Sequence, residues 1–263
     1  MNLAEIASTN AESRLSEDVR FSICTLVTRP DQYAEMIESF HARGFSRDDC
    51  EFLHIDNTKT NARDAYEGFN FFLNVARGTY VVVCHQDVLL IDDRAHLERV
   101  LAELDRHDPD WAACGNSGGM APGRLAIRIS DPHAMDQRTA TLPAKVHSLD
   151  ENFILVRRAA NLSVSRDLGG FHLYGADLCI LAEITGHSTY VVDFHLRHLS
   201  AGTRDGSLAS SRRRLVAKYS RALSWRWVMA PCELVFLSSV PWLSGLLSSS
   251  LTRRLLLRVL PKK

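Results

Sequence analysis

Residues 61–88 read NARDAYEGFNFFLNVARGTYVVVCHQDV, and this stretch predicts one helix followed by one buried strand. The helix is indicated by small and apolar residues that share one face, with Gly78 as its end. They are Ala62, Ala65, Phe69, Phe72, Leu73 and Ala76. The run YVVVC at 80–84 is short, apolar and β-branched, which is typical of a buried strand. A helix that leads into such a strand favours an α/β fold.

The same pattern of a strand and then a helix extends to both sides of this stretch. Upstream, FSICTLV at 21–27 and EFLHI at 51–55 predict two more strands. Asp31 is a plausible N-cap of the helix between them, and downstream a helix is expected over about 93–107. Three such units predict an α/β domain with a mainly parallel sheet flanked by helices.

The second half of the chain is less regular. Strands are expected at 111–115, 153–156 and 190–194, and a helix at 173–185. Residues 116–150 are rich in Gly, Pro, Asp and His, so they are interpreted as loops with short strands at most.

Polar residues follow each of the first three predicted strands. They are Thr28-Arg29, Asp56-Asn57 and His85-Gln86-Asp87. In open α/β sheets, ligands bind outside the carboxyl ends of the strands. These residues are therefore the first candidates for a binding site.

Two residues are candidate metal ligands. Asp87 follows the strongest strand, where a carboxylate can hold Mg²⁺ or Mn²⁺ together with phosphate oxygens. His198 follows the last predicted strand, where a neutral imidazole can bind a metal and an imidazolium can bind phosphate. A turn aspartate and a surface histidine are the structural alternatives. His85 and His195 are weaker candidates on the same grounds.

Two further aspartates are candidates for binding and proton transfer. Asp56 can accept hydrogen bonds from a nucleotide base or ribose, although an Asp-Asn pair also suits an Asx-turn. Asp177, at the start of the predicted helix at 173–185, can act as general base toward a hydroxyl group. The alternative is a first-turn aspartate that interacts favourably with the helix dipole.

A serine hydrolase is a competing interpretation. Residues 115–119, GNSGG, fit the G-x-S-x-G pattern with Ser117 as nucleophile. That nucleophile elbow requires a helix directly after the serine. The sequence MAPGR at 120–124 does not begin a helical pattern, so this interpretation is disfavoured.

Taken in order, the motifs between about residues 21 and 203 resemble glycosyltransferase family 2. HIDNT at 54–58 resembles the nucleotide-contacting end of that family's second strand. His85-Gln86-Asp87 stands where most members have D-x-D, and it matches a subgroup with HQD. The segment FHLYGADLCILAEITG at 171–186 is similar to the family's G-[ED]-D-x-x-L run, with Ala176 in place of the first acidic residue.

The resemblance implies a GT-A fold and an inverting transfer of a sugar from a nucleotide-diphosphate sugar, most simply a UDP-sugar, to an acceptor hydroxyl. It implies Mn²⁺ or Mg²⁺ on Asp87 and His198, with Asp177 as catalytic base. The donor nucleotide would be bound by residues at the ends of the first three strands and the adjoining loop. These are Thr28, Arg29, Asp56, Asn57, Arg63, His85 and Gln86. A non-catalytic protein that binds sugar nucleotides is the alternative.

Three segments are expected along the chain: a polar leader at 1–20, the GT-A domain at 21–203 and a basic, helical extension at 204–263. Net charge is zero, but residues 201–263 hold twelve basic and two acidic residues. Such a segment favours an anionic surface, and its tryptophans suit a membrane interface. The alternative is that the segment packs on the catalytic domain and its arginines are simply solvated. We therefore expect a cytoplasmic enzyme, peripheral on the plasma membrane, whose acceptor is a glycan or a lipid-linked sugar. No nucleic-acid-binding module is recognisable.

Overall fold

The computed structural model describes residues 19–121, 123–200 and 206–252, with gaps at 224, 230–233, 239 and 250. Most of the predicted leader and residues 253–263 lie outside the described residues. The chain divides into two compact units, Met1–Ser211 and Arg212–Lys263.

The described residues of the first unit form two β-sheets and four complete α-helices. Its strands are β1 (Phe21–Val27), β2 (Cys50–Asp56), β3 (Tyr80–Cys84), β4 (Val88–Leu90), β5 (Trp111–Gly115), β6 (Ser117–Ala121), β7 (Arg124–Ser130), β8 (Gln137–Thr139), β9 (Ala144–Lys145), β10 (Ser148–Leu149), β11 (Phe153–Arg157), β12 (Ser188–Val191) and β13 (Leu196–His198). Its helices are α1 (Pro30–Ala42), α2 (Ala65–Val75), α3 (Arg94–His107) and α4 (Tyr174–Ile184). The helix α5 (Gly206–Ala222) begins in this unit and continues into the second.

The larger sheet has seven strands in the order β2-β1-β3-β11-β5-β12-β9. β1 pairs in parallel with β2 and β3, and β5 pairs in parallel with β12. β11 is antiparallel to both β3 and β5, and β9 is antiparallel to β12. Five strands therefore run in one direction, and the prediction of a mainly parallel α/β sheet flanked by helices is confirmed.

Alternating side chains on the strands pack against helices on both faces of this sheet. Phe21 and Ile23 of β1 belong to a core cluster with apolar residues of α1 and α3. Cys24 of the same strand belongs to a second cluster with residues of α2 and α4. Successive side chains of a strand point to opposite faces, so one short apolar strand contributes to both cores. The apolar runs at β1 and β3 reflect this double burial.

Some predicted boundaries were wrong. Helix α1 has Arg29 at its N-cap and Pro30 in its first turn, so Asp31 lies inside the helix. Proline suits that position because its missing N–H has no helical acceptor there. The last strand of the larger sheet is Ser188–Val191 rather than 190–194.

The region at 116–150 contains more strand than its composition indicated. β6, β7, β8, β9 and β10 all lie within it, and most of them form the second sheet. That sheet has the order β10-β6-β7-β13-β4, with β8 paired to β7. It joins β4, which follows the HQD sequence, to β13, which ends at His198.

The second unit contains a two-stranded antiparallel sheet besides its helices. β14 (Arg226–Met229) pairs with β15 (Leu234–Leu237), and α6 (Pro241–Leu247) follows. The predicted helical extension therefore includes a hairpin. The described helices are all too short or too polar to cross a lipid bilayer.

Candidate active site at the end of strand β3

His85, Asp87 and His198 lie together at the carboxyl end of β3. The Nε2 atom of His198 is 3.3 Å from Oδ1 of Asp87 and 3.3 Å from Nδ1 of His85. The hydroxyl of Ser200 is also 3.3 Å from that nitrogen. One imidazole nitrogen therefore has three polar neighbours at the same distance.

The pairing of β4 with β13 brings these residues together. His198 is opposite Val88 in the antiparallel register, and the N–H of Leu199 donates to the main-chain oxygen of Asp87 at 3.0 Å. The tight turn after β3 reverses the chain into β4, with the N–H of Val88 donating to His85 O at 3.4 Å. Residues distant in sequence are thus fixed by main-chain hydrogen bonds.

The electrostatics of the cluster favour the ionised form of Asp87 and the neutral form of His85. Burial opposes ionisation of Asp87, but hydrogen bonding and the charge of His198, with smaller contributions from Ser200 and His85, lower its pKa to about 2. Desolvation is the main cause that lowers the pKa of His85, and the neighbouring His198 acts in the same direction. Asp87 and Asp150 act in the opposite direction on that histidine.

This donor set is suited to a divalent cation. One potential ligand atom from each of His85, Asp87 and His198 lies within 4.8 Å of the other two. Imidazole nitrogens suit transition metals, whereas Mg²⁺ prefers oxygen ligands throughout, so this mixed donor set favours a transition metal over Mg²⁺. The sequence had identified Asp87 and His198 as metal ligands, and His85 as a nucleotide contact and a weaker candidate metal ligand. The geometry places His85 among the potential ligands as well.

Gln86 connects the HQD turn to the end of β1. Its Oε1 accepts hydrogen bonds from the main-chain N–H groups of Thr28 and Arg29, both at 2.8 Å. Its Nε2 donates to the hydroxyl of Thr28 at 2.8 Å. The amide therefore makes three of its four possible hydrogen bonds to the end of β1, and Gln86 positions that end beside the candidate metal site.

Asn57 and Asp56 organise the loop after β2. Buried Asn57 donates from Nδ2 to the main-chain oxygen of Arg63 at 2.9 Å. Its Oδ1 accepts from the main-chain N–H of Arg63 at 3.3 Å. Exposed Asp56 accepts from the N–H and the hydroxyl of Thr58 at 2.8 and 2.6 Å, which is the Asx-turn considered from the sequence. The Arg63 guanidinium lies 4.7 Å from the ring centroid of Phe71.

Asp177 is in a different environment from the other candidates. Its side chain is fully buried in the first turn of α4. One carboxylate oxygen accepts from the N–H of Ser165 at 2.6 Å and the other from its hydroxyl at 2.7 Å. This burial favours the structural alternative for Asp177 over contact with a substrate in the described conformation.

Ser117 does not occupy a nucleophile elbow. It begins β6, and that strand turns back into β7 instead of continuing into a helix. The geometry that a serine hydrolase of this type requires is therefore missing at Ser117.

Two acidic residues near the site were not identified from the sequence. Asp150 and Glu151 lie in the loop between β10 and β11, and β11 is antiparallel to β3. The next residue, Asn152, accepts at its main-chain oxygen from the N–H of His85 at 2.9 Å. The only indication in the sequence was an acidic pair shortly before the predicted strand at 153–156. The direction of that strand in the sheet was needed to place the pair near the carboxyl end of β3.

Solved structures with a similar chain trace include two sugar transferases at low sequence identity. The complex of S. aureus TarS 1-349 with UDP-GlcNAc has a TM-score of 0.49 and 12% identity, over 70% of this chain and 60% of that one. The mannosyltransferase PcManGT from Pyrobaculum calidifontis, with GDP-Man and Mn²⁺, has a TM-score of 0.49 and 15% identity, over 87% and 73%.

Sequence comparison gives a nearer relative. No protein-family model matches the chain. A protein of Fuscovulum blasticum, described as "ATP synthase subunits region ORF 6", is 36% identical over 223 residues. The match covers 81% of this chain and 88% of the relative. This identity over most of both proteins shows common descent, and the chain belongs to the family of the ATP synthase subunits region ORF 6 protein.

Proposed function

We propose that this protein is an inverting glycosyltransferase with a GT-A fold, which moves a sugar from a nucleoside-diphosphate sugar to an acceptor hydroxyl. The observation that carries the proposal is the cluster of His85, Asp87 and His198 at the carboxyl end of β3. The ends of β1 and β2 lie on the same edge of the sheet, because both strands run parallel with β3. That edge is where α/β sheets bind nucleotides.

In this proposal one set of residues binds the diphosphate of the donor and another set binds its nucleoside. His85, Asp87 and His198 would hold a divalent cation, Mn²⁺ in preference to Mg²⁺, which would supply positive charge next to the diphosphate of the donor. Thr28, Arg29 and Asp56 contact the nucleoside, and Arg63 is available to a phosphate. Gln86 and Asn57 hold these loops in position through the hydrogen bonds described above. A prearranged set of contacts lowers the entropic cost of orienting the reactants.

A thermal-shift screen tests this proposal. The parent protein is heated with UDP-, GDP-, dTDP- and CMP-sugars, each with and without Mn²⁺. A ligand that binds only the native state stabilises that state by mass action, by about 2.7 kcal/mol when its concentration is one hundred times Kd. The melting temperature rises as a result. We expect one nucleotide class, most simply UDP-sugars, to stabilise the protein, and to do so more strongly with Mn²⁺.

Matched variants make the screen specific. Asp87→Asn is expected to lose the Mn²⁺-dependent part of the shift because it removes a charged ligand. Asp110→Asn, the same change at an exposed position away from the cluster, is expected to keep it. Stabilisation that is independent of Mn²⁺ and of Asp87 would contradict the proposed metal site. Donor binding without release of nucleoside diphosphate would support the alternative of a non-catalytic binding protein.

We also propose that the second unit binds an anionic membrane on the cytoplasmic side, where a lipid-linked sugar would serve as acceptor. Trp225, Trp242 and Leu251 are 56%, 70% and 71% exposed, and the exposed arginines 212–214 lie on α5. Tryptophan and arginine together suit the interface of an anionic bilayer.

Vesicle sedimentation tests the membrane proposal. We expect the protein to sediment with phosphatidylglycerol vesicles at low salt and to stay in solution with phosphatidylcholine vesicles. Replacing Arg212, Arg213 and Arg214 with glutamine is expected to weaken sedimentation, by about 1 kcal/mol for each charge near the surface. Equal binding to both vesicle types would contradict the proposal.

A further inference from the structure

The loop that connects β10 to β11 lies against the candidate metal site. Its residue Asn152 receives a hydrogen bond from the main chain of His85, as described above. The Oδ1 atom of Asp150 accepts from the N–H of Asn152 at 3.0 Å and from its Nδ2 at 2.5 Å. These contacts fix the loop. Glu151 lies between Asp150 and Asn152, directly before the residue that contacts His85.

Glu151 also contacts the N-terminus of α4. Its Oε1 accepts from the N–H of Gly175 at 3.3 Å, and its main-chain oxygen accepts from the hydroxyl of Tyr174 at 3.0 Å. A Cβ atom at Gly175 would lie 2.2 Å from the main-chain oxygen of Leu149. The glycine therefore permits the close approach that brings the loop, with Glu151, onto the first turn of α4.

The environment of Glu151 suits a proton acceptor. The residue is partly buried, and burial is the main cause that raises the pKa of its carboxyl group to about 8. The N–H groups of α4 oppose this shift, whereas the charge of Asp150 adds to it. A general base works best when its pKa is near the working pH.

Asp177 provides the comparison at the same end of the helix. Both of its carboxylate oxygens are engaged by Ser165, and its side chain has no exposed surface. Glu151 accepts from the N–H of Gly175 and lies beside the N–H groups of Leu173 and Tyr174, and the residue is partly rather than fully buried. Of these two acidic residues at the start of α4, Glu151 is the one with solvent-exposed surface.

We propose that Glu151 is the general base of the transfer reaction, a role that rests on the proposed glycosyltransferase function. The carboxylate of Glu151 takes the proton from the acceptor hydroxyl. The acceptor oxygen forms a bond to the anomeric carbon as the bond from that carbon to the diphosphate oxygen breaks. The electron pair leaves with the nucleoside diphosphate, and the proton on Glu151 passes to solvent.

The test compares Glu151→Gln, Asp177→Asn and Glu183→Gln. Glutamine at 151 can still accept from Gly175 but has no basic carboxylate, so the fold is expected to persist. Glu183→Gln is the matched change at an exposed position near the end of α4. Each variant is incubated with the donor sugar found in the thermal-shift screen. Water serves as the acceptor probe, and released nucleoside diphosphate is measured for each folded molecule.

We expect Glu151→Gln to release nucleoside diphosphate about 10² to 10⁴ times more slowly than the parent. Its donor-induced thermal shift is expected to be unchanged. Glu183→Gln should match the parent in both measurements, and Asp177→Asn should retain turnover for each folded molecule.

Other outcomes overturn the proposal in distinguishable ways. Parent-like turnover in Glu151→Gln, or a selective loss of turnover in Asp177→Asn, removes Glu151 from the role and leaves the glycosyltransferase function intact. A parent protein that binds the donor but releases no nucleoside diphosphate overturns the role of Glu151 and supports a binding protein without transferase activity. A parent protein that binds no sugar nucleotide overturns both the proposed function and this inference.

Discussion

The Nε2 atom of His198 lies 3.3 Å from the Oδ1 atom of Asp87, and the strands next to these residues pair antiparallel. Neither strand alone forms a site. Asp87 is in the turn after β3, whereas His198 ends a three-residue strand in the second sheet. The candidate metal site therefore requires the second sheet, because that sheet carries His198.

His85→Gln is expected to weaken Mn²⁺ binding, although from the sequence His85 was only a weaker candidate metal ligand than Asp87 and His198. Loss of an outer partner of a metal ligand costs about 10- to 100-fold in affinity, so loss of a ligand should cost at least as much. Calorimetric titration with MnCl₂ measures the change. His133→Gln, at an exposed position, is the control. An unchanged dissociation constant in His85→Gln would remove this residue from the site.

Gln86→Ala is expected to destabilise the protein by about 1 kcal/mol, because Thr28 and Arg29 lose their hydrogen-bond acceptor in a solvent-accessible region. Urea unfolding measures this change, and donor titration should show weaker binding because the end of β1 is less fixed. Gln86→Glu keeps an acceptor for both N–H groups and should be milder. Equal stability of the alanine variant and the parent would show that Gln86 does not fix this loop.

Asp177→Ala is expected to cost about 3 kcal/mol of unfolding free energy. The substitution leaves the buried N–H and hydroxyl of Ser165 without the carboxylate that accepts from both. Asp177→Asn keeps one acceptor oxygen and should cost less. A double-mutant cycle with Ser165→Ala measures the coupling, and additive effects would contradict a shared interaction.

Gly175→Ala is expected to destabilise the protein by about 1–3 kcal/mol, because a Cβ there overlaps the main chain at Leu149. Backbone cannot move away as easily as the end of a side chain. Gly206→Ala is the matched control, since nothing lies within 4 Å of a Cβ at that position. Thermal unfolding compares the two variants, and equal melting temperatures would refute the close contact between α4 and β10.

Glu151→Gln is expected to change the pH dependence of stability. The pKa of the Glu151 carboxyl group is about 8 in the folded protein and near 4.5 in the unfolded chain. The free energy of unfolding of the parent therefore falls as pH rises between those values. The unfolded state releases the proton first, while Asp150 and burial keep it on native Glu151. The stability of the variant relative to the parent should therefore rise from pH 5 to pH 8.5. Melting temperatures across this range measure it, and a constant difference would contradict the raised pKa.

The fold was largely predictable from local pattern. The apolar runs at β1 and β3 are buried on both faces, so their composition alone distinguished them from surface strands. The region at 116–150 was less predictable because its strands are short, polar or glycine-rich. Such strands are stabilised by pairing with neighbours in space, which local composition does not encode.

The sequence by itself determined which polar residues follow the parallel strands, because strand direction and the end of each apolar run are local properties. Asp56, Gln86 and Asp87 were identified in this way. Only the tertiary structure decided which of the candidates meet. The pairing of β4 with β13 joined His198 to Asp87, and the reversed direction of β11 brought Asn152, the residue after Glu151, into contact with His85. Burial of Asp177 was likewise set by packing against Ser165, since exposure depends on contacts between segments that are distant along the chain.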